Sequence, residues 1–303
     1  VEIIKTNLQS RIYDNCVVAI GMFDGVHLGH QALLRSCREQ ADKQRTRAVA
    51  LTYHPHPRCI LIPESNCPLL TTLEEKLSLF ETFGMDIVAV VDFTHDFAMI
   101  SAVEYLQNLQ NALNPSVIVA GYRSTFGHNR TGNPELLQSM AAQLNYVADI
   151  VSPVEIEGEA VSSSRIRELV MNGDVELAGK LLGYRYSFSG TVENGDARGR
   201  KIGFRTANID ADPGKLIPGD AIYAGNITVK GERHRAVMSF GARPTFNRPP
   251  ALEVHIIDFD EDIYGERVVV EMLTKLRGII KFENAEVLAA QIQRDLQAAR
   301  KWK

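Results

Sequence analysis

Over its first 183 residues the chain alternates short apolar runs with helical stretches, and this alternation constrains the fold more than any other feature. Val17–Ile20, Ala48–Tyr53, Asp86–Val91, Val117–Ala120 and Tyr146–Val151 have the length and composition of buried strands. Gly29–Arg45 and Pro134–Leu144 between them read as helices. Thr71-Thr72-Leu73-Glu74-Glu75 offers a capping box for a helix that runs to Phe83 and stops at Gly84. Ser101-x-x-Glu104 opens another helix, which Asn114-Pro115 ends. Strands joined through helices imply a parallel sheet covered on both faces, with ligands bound at the carboxyl ends of its strands. Two short helices, Ser163–Met171 and Asp174–Leu182, are stopped by Asn172-Gly173 and by Gly183. We place a domain boundary there, giving segments 1–183 and 184–303.

Beyond Gly183 the pattern changes. Tyr186–Val192, Ala221–Val229, Ala236–Gly241, Leu252–Phe259 and Val268–Leu276 are β-rich runs separated by Gly, Pro and Asp, the texture of a small antiparallel barrel or sandwich. An amphipathic helix, Ala285–Arg300, ends the chain. The expected fold class is therefore α/β: a doubly wound parallel-sheet domain, then a small antiparallel β domain with a terminal helix. A net charge of −4 gives no electrostatic case for nucleic acid, although the first segment carries −7 and the second +3. No apolar run is long enough to span a membrane, and the first residues lack a signal-peptide core. The four cysteines, Cys16, Cys37, Cys59 and Cys67, have no metal-ligand spacing. They read as buried or free thiols of a reducing, cytoplasmic compartment.

The first chemical constellation is Gly21-Met22-Phe23-Asp24-Gly25-Val26-His27-Leu28-Gly29-His30, which follows a strand and opens a helix. Its glycines let backbone approach a phosphate, and the helix start supplies free N–H groups. His27 and His30 can donate to charge developing on a phosphoryl group. Ser162, Ser163 and Ser164, with Arg167 a turn later, open a second helix and suit further phosphates. Alone, those serines would read as a plain N-cap. Thr52-Tyr53-His54-Pro55-His56-Pro57 reads as a rigid loop, with no third ligand evident for a metal.

The second constellation runs from Gly190 through Gly195, Gly199 and Gly203 to Phe204-Arg205-Thr206-Ala207-Asn208. It contains no Walker lysine motif, but a glycine-rich flap can present N–H groups to phosphates. Thr206 and Asn208 offer the hard oxygen ligands that Mg²⁺ prefers. Downstream, period two puts Glu253 and His255 on one face of a strand, where a glutamate can act as general base.

The string G-x-F-D-G-V-H-x-G-H-Q, the T-Y-H-P-H-P segment and S-S-S-x-I-R resemble the adenylyltransferase module of the prokaryotic bifunctional riboflavin kinase/FMN adenylyltransferase (FAD synthetase) family. The glycine-rich segment ending in T-A-N, then Gly241-Ala242-Arg243-Pro244-Thr245-Phe246 and E-V-H-I-I-D-F, resembles that family's riboflavin kinase module. The resemblance implies a nucleotidyltransferase domain over 1–183 and a β-barrel kinase domain over 184–303. It implies riboflavin, FMN, FAD and ATP/ADP as ligands, with Mg²⁺ as the ion. Glu253 would be the kinase base, and His27 and His30 would stabilise the adenylyl transition state. Gly21, Phe23, Asp24, Gly25, Gly29, Ser162, Ser163, Ser164 and Arg167 would line the first nucleotide site. Gly190, Gly195, Gly199, Gly203, Thr206 and Asn208 would line the second, with Thr206 and Asn208 on the metal.

Three departures stand out. Arg123 and Ser124 occupy places where the family carries Asp or Asn and then Phe, Arg205 replaces the proline of F-P-T-A-N, and Ser239-Phe240-Gly241 replaces N-I-G. The first departure leads us to expect adenylyl transfer slower than the kinase reaction. The alternatives are a chain that keeps one activity, the kinase, and a non-catalytic flavin- or nucleotide-binding regulator.

Overall fold

The computed structural model describes residues 1–62, 67–193, 204–243 and 248–302. They form two compact units, Val1–Ser163 and Ser164–Lys303.

The first unit contains β1 (Glu2–Thr6), β2 (Cys16–Ile20), α1 (Leu28–Gln44), β3 (Arg47–His54), α2 (Pro57–Leu61), α3 (Leu73–Thr82), β4 (Ile87–Asp92), α4 (His95–Ala98), α5 (Ala102–Leu113), β5 (Pro115–Gly121), α6 (Pro134–Leu144), β6 (Val147–Val151) and a hairpin, β7 (Glu155–Ile156) and β8 (Glu159–Ala160). The six longer strands make a parallel sheet in the order β1-β4-β3-β2-β5-β6. From β2 the chain winds outward through β3 and β4. It then crosses back to β5 on the other side of β2, so the switch point lies between the carboxyl ends of β2 and β5.

Both faces of the sheet are covered, and β2 shows why. Val17 and Ala19 pack with Leu33, Leu34, Cys37 and Phe80 of α1 and α3, while Val18 and Ile20 pack with Tyr105, Leu106 and Leu109 of α5. Every β2 side chain is buried, which explains why the run is apolar without alternation. The helix starts are capped as the sequence signals: Thr72 and Glu75 form a reciprocal capping box, and Ser101 accepts from the Glu104 N–H. The thiol expectation holds for half of the cysteines. Cys16 and Cys37 are free and buried, but Cys59 and Cys67 form a disulfide with Cα atoms 5.5 Å apart. Their separation of eight residues matches no pairing signature, and only the folded chain brings the two sulfurs together.

The second unit takes up α7 (Ser163–Met171) from its second residue onward. It continues with α8 (Val175–Leu182), β9 (Ser187–Glu193), β10 (Ala207–Ala211), β11 (Ala221–Val229), β12 (Glu232–Arg243), β13 (Arg248–Ile256), β14 (Arg267–Arg277) and α9 (Ala285–Lys301). The six strands close into an antiparallel barrel, β10-β13-β12-β11-β14-β9, with β9 and β10 completing the ring. α7 and α8 lie against this barrel. The Thr274 hydroxyl of β14 donates to Glu176, Lys275 Nζ reaches the Asn172 carbonyl at 3.2 Å, and the Gly219 N–H reaches the Val170 carbonyl at 3.1 Å. The compact units thus divide near Ser163, earlier than the boundary read at Gly183. β10 begins on the last two residues of the glycine-rich motif and runs beyond it. α9 covers one barrel face through Leu296 and Ala299 against Phe204, Ile222, Ala224 and Val237, and is fixed by an Arg277–Asp295 ion pair of 2.7 Å.

Candidate functional site

In the first unit the loop between β2 and α1 is held by its own buried polar groups. Asp24 is turned inward, where Oδ1 accepts from the Thr71 N–H at 3.1 Å, and its carbonyl accepts from the Ser163 hydroxyl at 2.9 Å. The Gly25 N–H donates to Thr71 Oγ1 at 3.0 Å. Phe23 and Val26 adopt φ of 52° and 35°, a region costly for bulky side chains and tolerated where packing enforces it.

This fixed loop places His27 as the N-cap of α1. Its Nδ1 accepts from the His30 N–H at 3.3 Å, so a neutral ring carries its proton on Nε2. The His27 and His30 rings stack 3.7 Å apart, with Phe23 at the edge of His30. Gly29 makes this possible, since a Cβ there would sit 3.2 Å from His27 Cε1. His30 Nδ1 is buried without a partner, and burial, then His27 and Lys76, hold the ring's pKa well below its ordinary 6.5. His30 is therefore neutral at physiological pH.

Lys76 is the residue that sequence reasoning missed. It is 6% exposed, and its ammonium donates to the Met22 carbonyl at 3.0 Å and to Thr52 Oγ1 at 3.1 Å. It thereby ties α3 to the ends of β2 and β3. Burial pulls its pKa down to about 8, partly opposed by Asp24. The pattern held a signal: Leu73, Lys76, Leu77 and Phe80 share one helical face, so a lysine stands where an apolar residue belongs.

Ser162 and Ser163 lie within the first unit, half-buried, while Ser164 and Arg167 stand on the α7 turns counted with the second. The structure thus joins Gly21, Phe23, Asp24, Gly25, His27, Gly29, His30 and Ser163 into one neighbourhood. At β5, the Gly121 N–H donates to Ser124 Oγ and the Ser124 N–H to the Gly121 carbonyl, both at 2.9 Å. Arg123 is exposed and lies over the Tyr122 ring at 5.1 Å.

In the barrel, Glu253 on β13 stands directly opposite Asn208 on β10 and Ser239 on β12. Directly opposed side chains on neighbouring strands have Cβ atoms about 4.5–5.5 Å apart. Thr206, two residues before Asn208, shares its half-buried exposure. Val254 and Ile256 are buried while Glu253 and His255 are half-buried, which is the expected alternation. Arg205 fixes the segment before β10: its guanidinium donates to the Asp260 carbonyl at 2.9 Å, and its own carbonyl pairs with His255 Nδ1 at 2.6 Å. Gly190 lies inside β9, where any Cβ would run into the Asp210 carbonyl. Close strand approach therefore requires glycine at this position. Gly195, Gly199 and Gly203, and Pro244-Thr245-Phe246, lie outside the described residues.

A stacked histidine pair at a switch-point helix start, and a carboxylate opposite an asparagine on a barrel, suit a two-unit transferase that works on nucleotides. Residues 9–165 match the FAD synthetase family and residues 182–303 the riboflavin kinase family. The Bifunctional riboflavin kinase/FMN adenylyltransferase of Listeria monocytogenes is 37% identical, over 94% of this chain and 92% of its own length. The proteins of that name from Bacillus subtilis and Escherichia coli K12 are 36% and 34% identical, over 93% and 98% of this chain and 91% and 95% of their own lengths. A solved protein of Streptococcus pneumoniae, described as a macrolide-efflux protein, is 32% identical and superposes with a TM-score of 0.92, with both chains fully covered. The chain belongs to the bifunctional riboflavin kinase/FMN adenylyltransferase family, and it is a transferase with both activities. Among the described residues no helix is long and apolar enough to cross a membrane.

Proposed function

We propose that the barrel transfers the γ-phosphoryl group of ATP to the ribityl hydroxyl of riboflavin, giving FMN and ADP. The parallel-sheet unit then joins FMN to the AMP part of a second ATP, giving FAD and pyrophosphate. The observation that carries the kinase assignment is Glu253 directly opposite Asn208 across β10 and β13, with Thr206 half-buried just before β10. A half-buried carboxylate on a rigid strand is placed to accept the hydroxyl proton as that oxygen attacks phosphorus. The hydroxyl of Thr206 and the amide oxygen of Asn208 are a neutral, hard donor set that fits Mg²⁺, which keeps phosphates and waters as its other ligands. These two residues would hold the ion. When bound, Mg²⁺ supplies neutralisation of the phosphate charge.

In the first unit, His27 Nε2–H and the neutral His30 ring would donate to the α-phosphate as its charge develops. Because His30 is a neutral donor, its bond strengthens toward the transition state without clamping the ground-state nucleotide. The start of α1 supplies further N–H groups, and Ser162, Ser163, Ser164 and Arg167 would hold the departing phosphates. Lys76 keeps the carboxyl ends of β2 and β3 in place. We keep Gly183 as the functional boundary and the cytoplasm, the source of ATP, as the compartment.

The test is a time course of the full chain with riboflavin, ATP and Mg²⁺, with products separated by chromatography. FMN should appear first, then FAD, with pyrophosphate accompanying FAD alone. FMN without FAD would leave only the kinase. Neither product would return the chain to a ligand-binding role.

A further inference from the structure

Apart from the residues named for the two sites, three soft or borderline ligands converge after the carboxyl end of β3. One ligand atom each from His56, Cys59 and Cys67 lies within 4.8 Å of the others. In a tetrahedral zinc site with bonds of roughly 2.0–2.3 Å, neighbouring ligand atoms stand about 3.5–3.8 Å apart. Rotation of partly exposed side chains covers that difference. All three residues are half-buried, so a metal ion can reach them without opening the core. The other two cysteines offer no such site: burial in the sheet core pushes the Cys16 and Cys37 thiols up to about 12.

We infer that His56, Cys59 and Cys67 form a thiol-gated site for a thiophilic divalent cation, Zn²⁺ in particular, on the loop after β3. Two thiolates and an imidazole select Zn²⁺ over the Mg²⁺ expected at the phosphate sites, because Mg²⁺ takes hard oxygen ligands. The structure shows the closed gate, with Cys59 and Cys67 joined as a disulfide.

Opening the gate consumes two equivalents of a thiol reductant. The Cys59–Cys67 bond breaks, the reductant leaves as its own disulfide, and two thiols form. Zn²⁺ binding then breaks two S–H bonds, forms two S–Zn bonds and releases two protons. His56 supplies the third bond at a cost. Its Nδ1 now accepts from the Arg58 N–H at 3.1 Å as the N-cap of α2. A ring bound through Nδ1 has lost that lone pair, and a ring bound through Nε2 carries a proton on Nδ1. Either way the Arg58 amide is released, so the loop exchanges a helix cap for a metal bond when the redox state changes.

The experiment uses the full chain, treated with a phosphine reductant and then freed of it without air. Co²⁺ is titrated in as a spectroscopic stand-in, and Zn²⁺ is added afterwards. We expect one Co²⁺ per chain with thiolate charge-transfer absorption and tetrahedral ligand-field bands. Zn²⁺ should displace it, and Mg²⁺ should not. The oxidised chain should show no such bands until reduced. Loss of an outer-sphere partner typically weakens metal sites by about 10–100-fold. Loss of a direct ligand in Cys59→Ser, Cys67→Ser or His56→Gln should therefore weaken Zn²⁺ by at least about 100-fold. Cys37→Ala should bind as the parent does, and an unchanged far-UV spectrum shows that each variant is folded. The Arg58 amide should exchange faster with solvent in the Zn²⁺ form. A reduced chain without cobalt–thiolate absorption overturns the inference. So does a disulfide that resists the phosphine, or binding that survives Cys59→Ser and Cys67→Ser.

Discussion

The two sites differ in where their polar groups sit. In the parallel-sheet unit Asp24, His27 and Lys76 are at most 6% exposed, and each is bonded to backbone or to Thr52 or Thr71. In the barrel Asn208 and Glu253 are half-buried on paired strands, and Thr206 is half-buried just before β10. The first site is preorganised: burial keeps His30 neutral and the loop conformation is fixed before a nucleotide arrives. The second aligns its groups by strand register and leaves its electrostatics to be completed by ligands. On the proposed function, adenylyl transfer would depend on fixed donors, and phosphorylation on one well-placed base.

The comparison breaks most readily at Glu253. Glu253→Gln keeps the shape and hydrogen-bonding reach but removes the base. FMN formation should fall by about 10²–10⁴, with FMN-to-FAD conversion unchanged. Rates of the two half-reactions, measured separately from riboflavin and from FMN, decide it. A near-normal kinase rate would reduce Glu253 to an ordinary strand residue.

The reverse pattern belongs to the histidines. His27→Ala or His30→Ala removes one transition-state donor and should lower FAD formation by about 10²–10³. FMN formation should be spared. Equal losses in both reactions would point to damage to folding, and would remove the claim that the two sites work separately.

Much of this was legible in the sequence because the strands β2 to β6 are short apolar runs between strong caps, and His27 and Glu253 sit in local motifs. What was hidden depended on tertiary pairing. β1 is an edge strand with only two of its five residues even half-buried, so its pattern carries little signal. β10 is two-stranded pairing laid over a loop-like glycine motif. The contact of α8 with the barrel was hidden because nothing local shows that Glu176 meets Thr274 almost a hundred residues later. The partners of Lys76 were hidden because they are a carbonyl of the loop after β2 and a hydroxyl on β3. Gly190 adds a packing demand that its motif did not show, since a Cβ there would meet the Asp210 carbonyl.

Lys76 offers a thermodynamic test of the buried network. Its pKa is about 8 in the fold against an ordinary 10.5. Below pH 8 both the folded and the unfolded chain carry the proton. Between 8 and 10.5 only the unfolded chain does, so this group makes stability rise with pH across that window. The full rise is about 3 kcal/mol. In Lys76→Met the titration is gone. The unfolding free energy of the parent relative to the variant should therefore grow by that order as pH climbs from below 8 towards 10.5, in denaturant titrations. Parallel pH curves would show that Lys76 is not held as a buried ammonium.

The smallest effect separates packing from capping in the loop after β5. A phenylalanine at position 124, as in the related pattern, would add apolar area. Ser124 instead spends its hydroxyl on the Gly121 N–H at 2.9 Å and closes the turn at the switch point. Ser124→Ala should cost about 1 kcal/mol of first-unit stability, the usual net worth of one such bond. Ser124→Phe loses the same bond and gains area only if the ring finds a pocket. Arg123, exposed over Tyr122, makes no comparable contribution to the turn. Arg123→Asp should thus leave stability within about 0.5 kcal/mol while restoring an acceptor beside the nucleotide site. Melting curves of the three variants, with FMN-to-FAD rates beside them, read the two roles separately. If Arg123→Asp raises the FAD rate and Ser124→Phe lowers it, the serine is a turn closure that the preorganised site requires. If Ser124→Phe raises both rate and stability, the hydroxyl is incidental and the first site is less tightly built than its buried network implies.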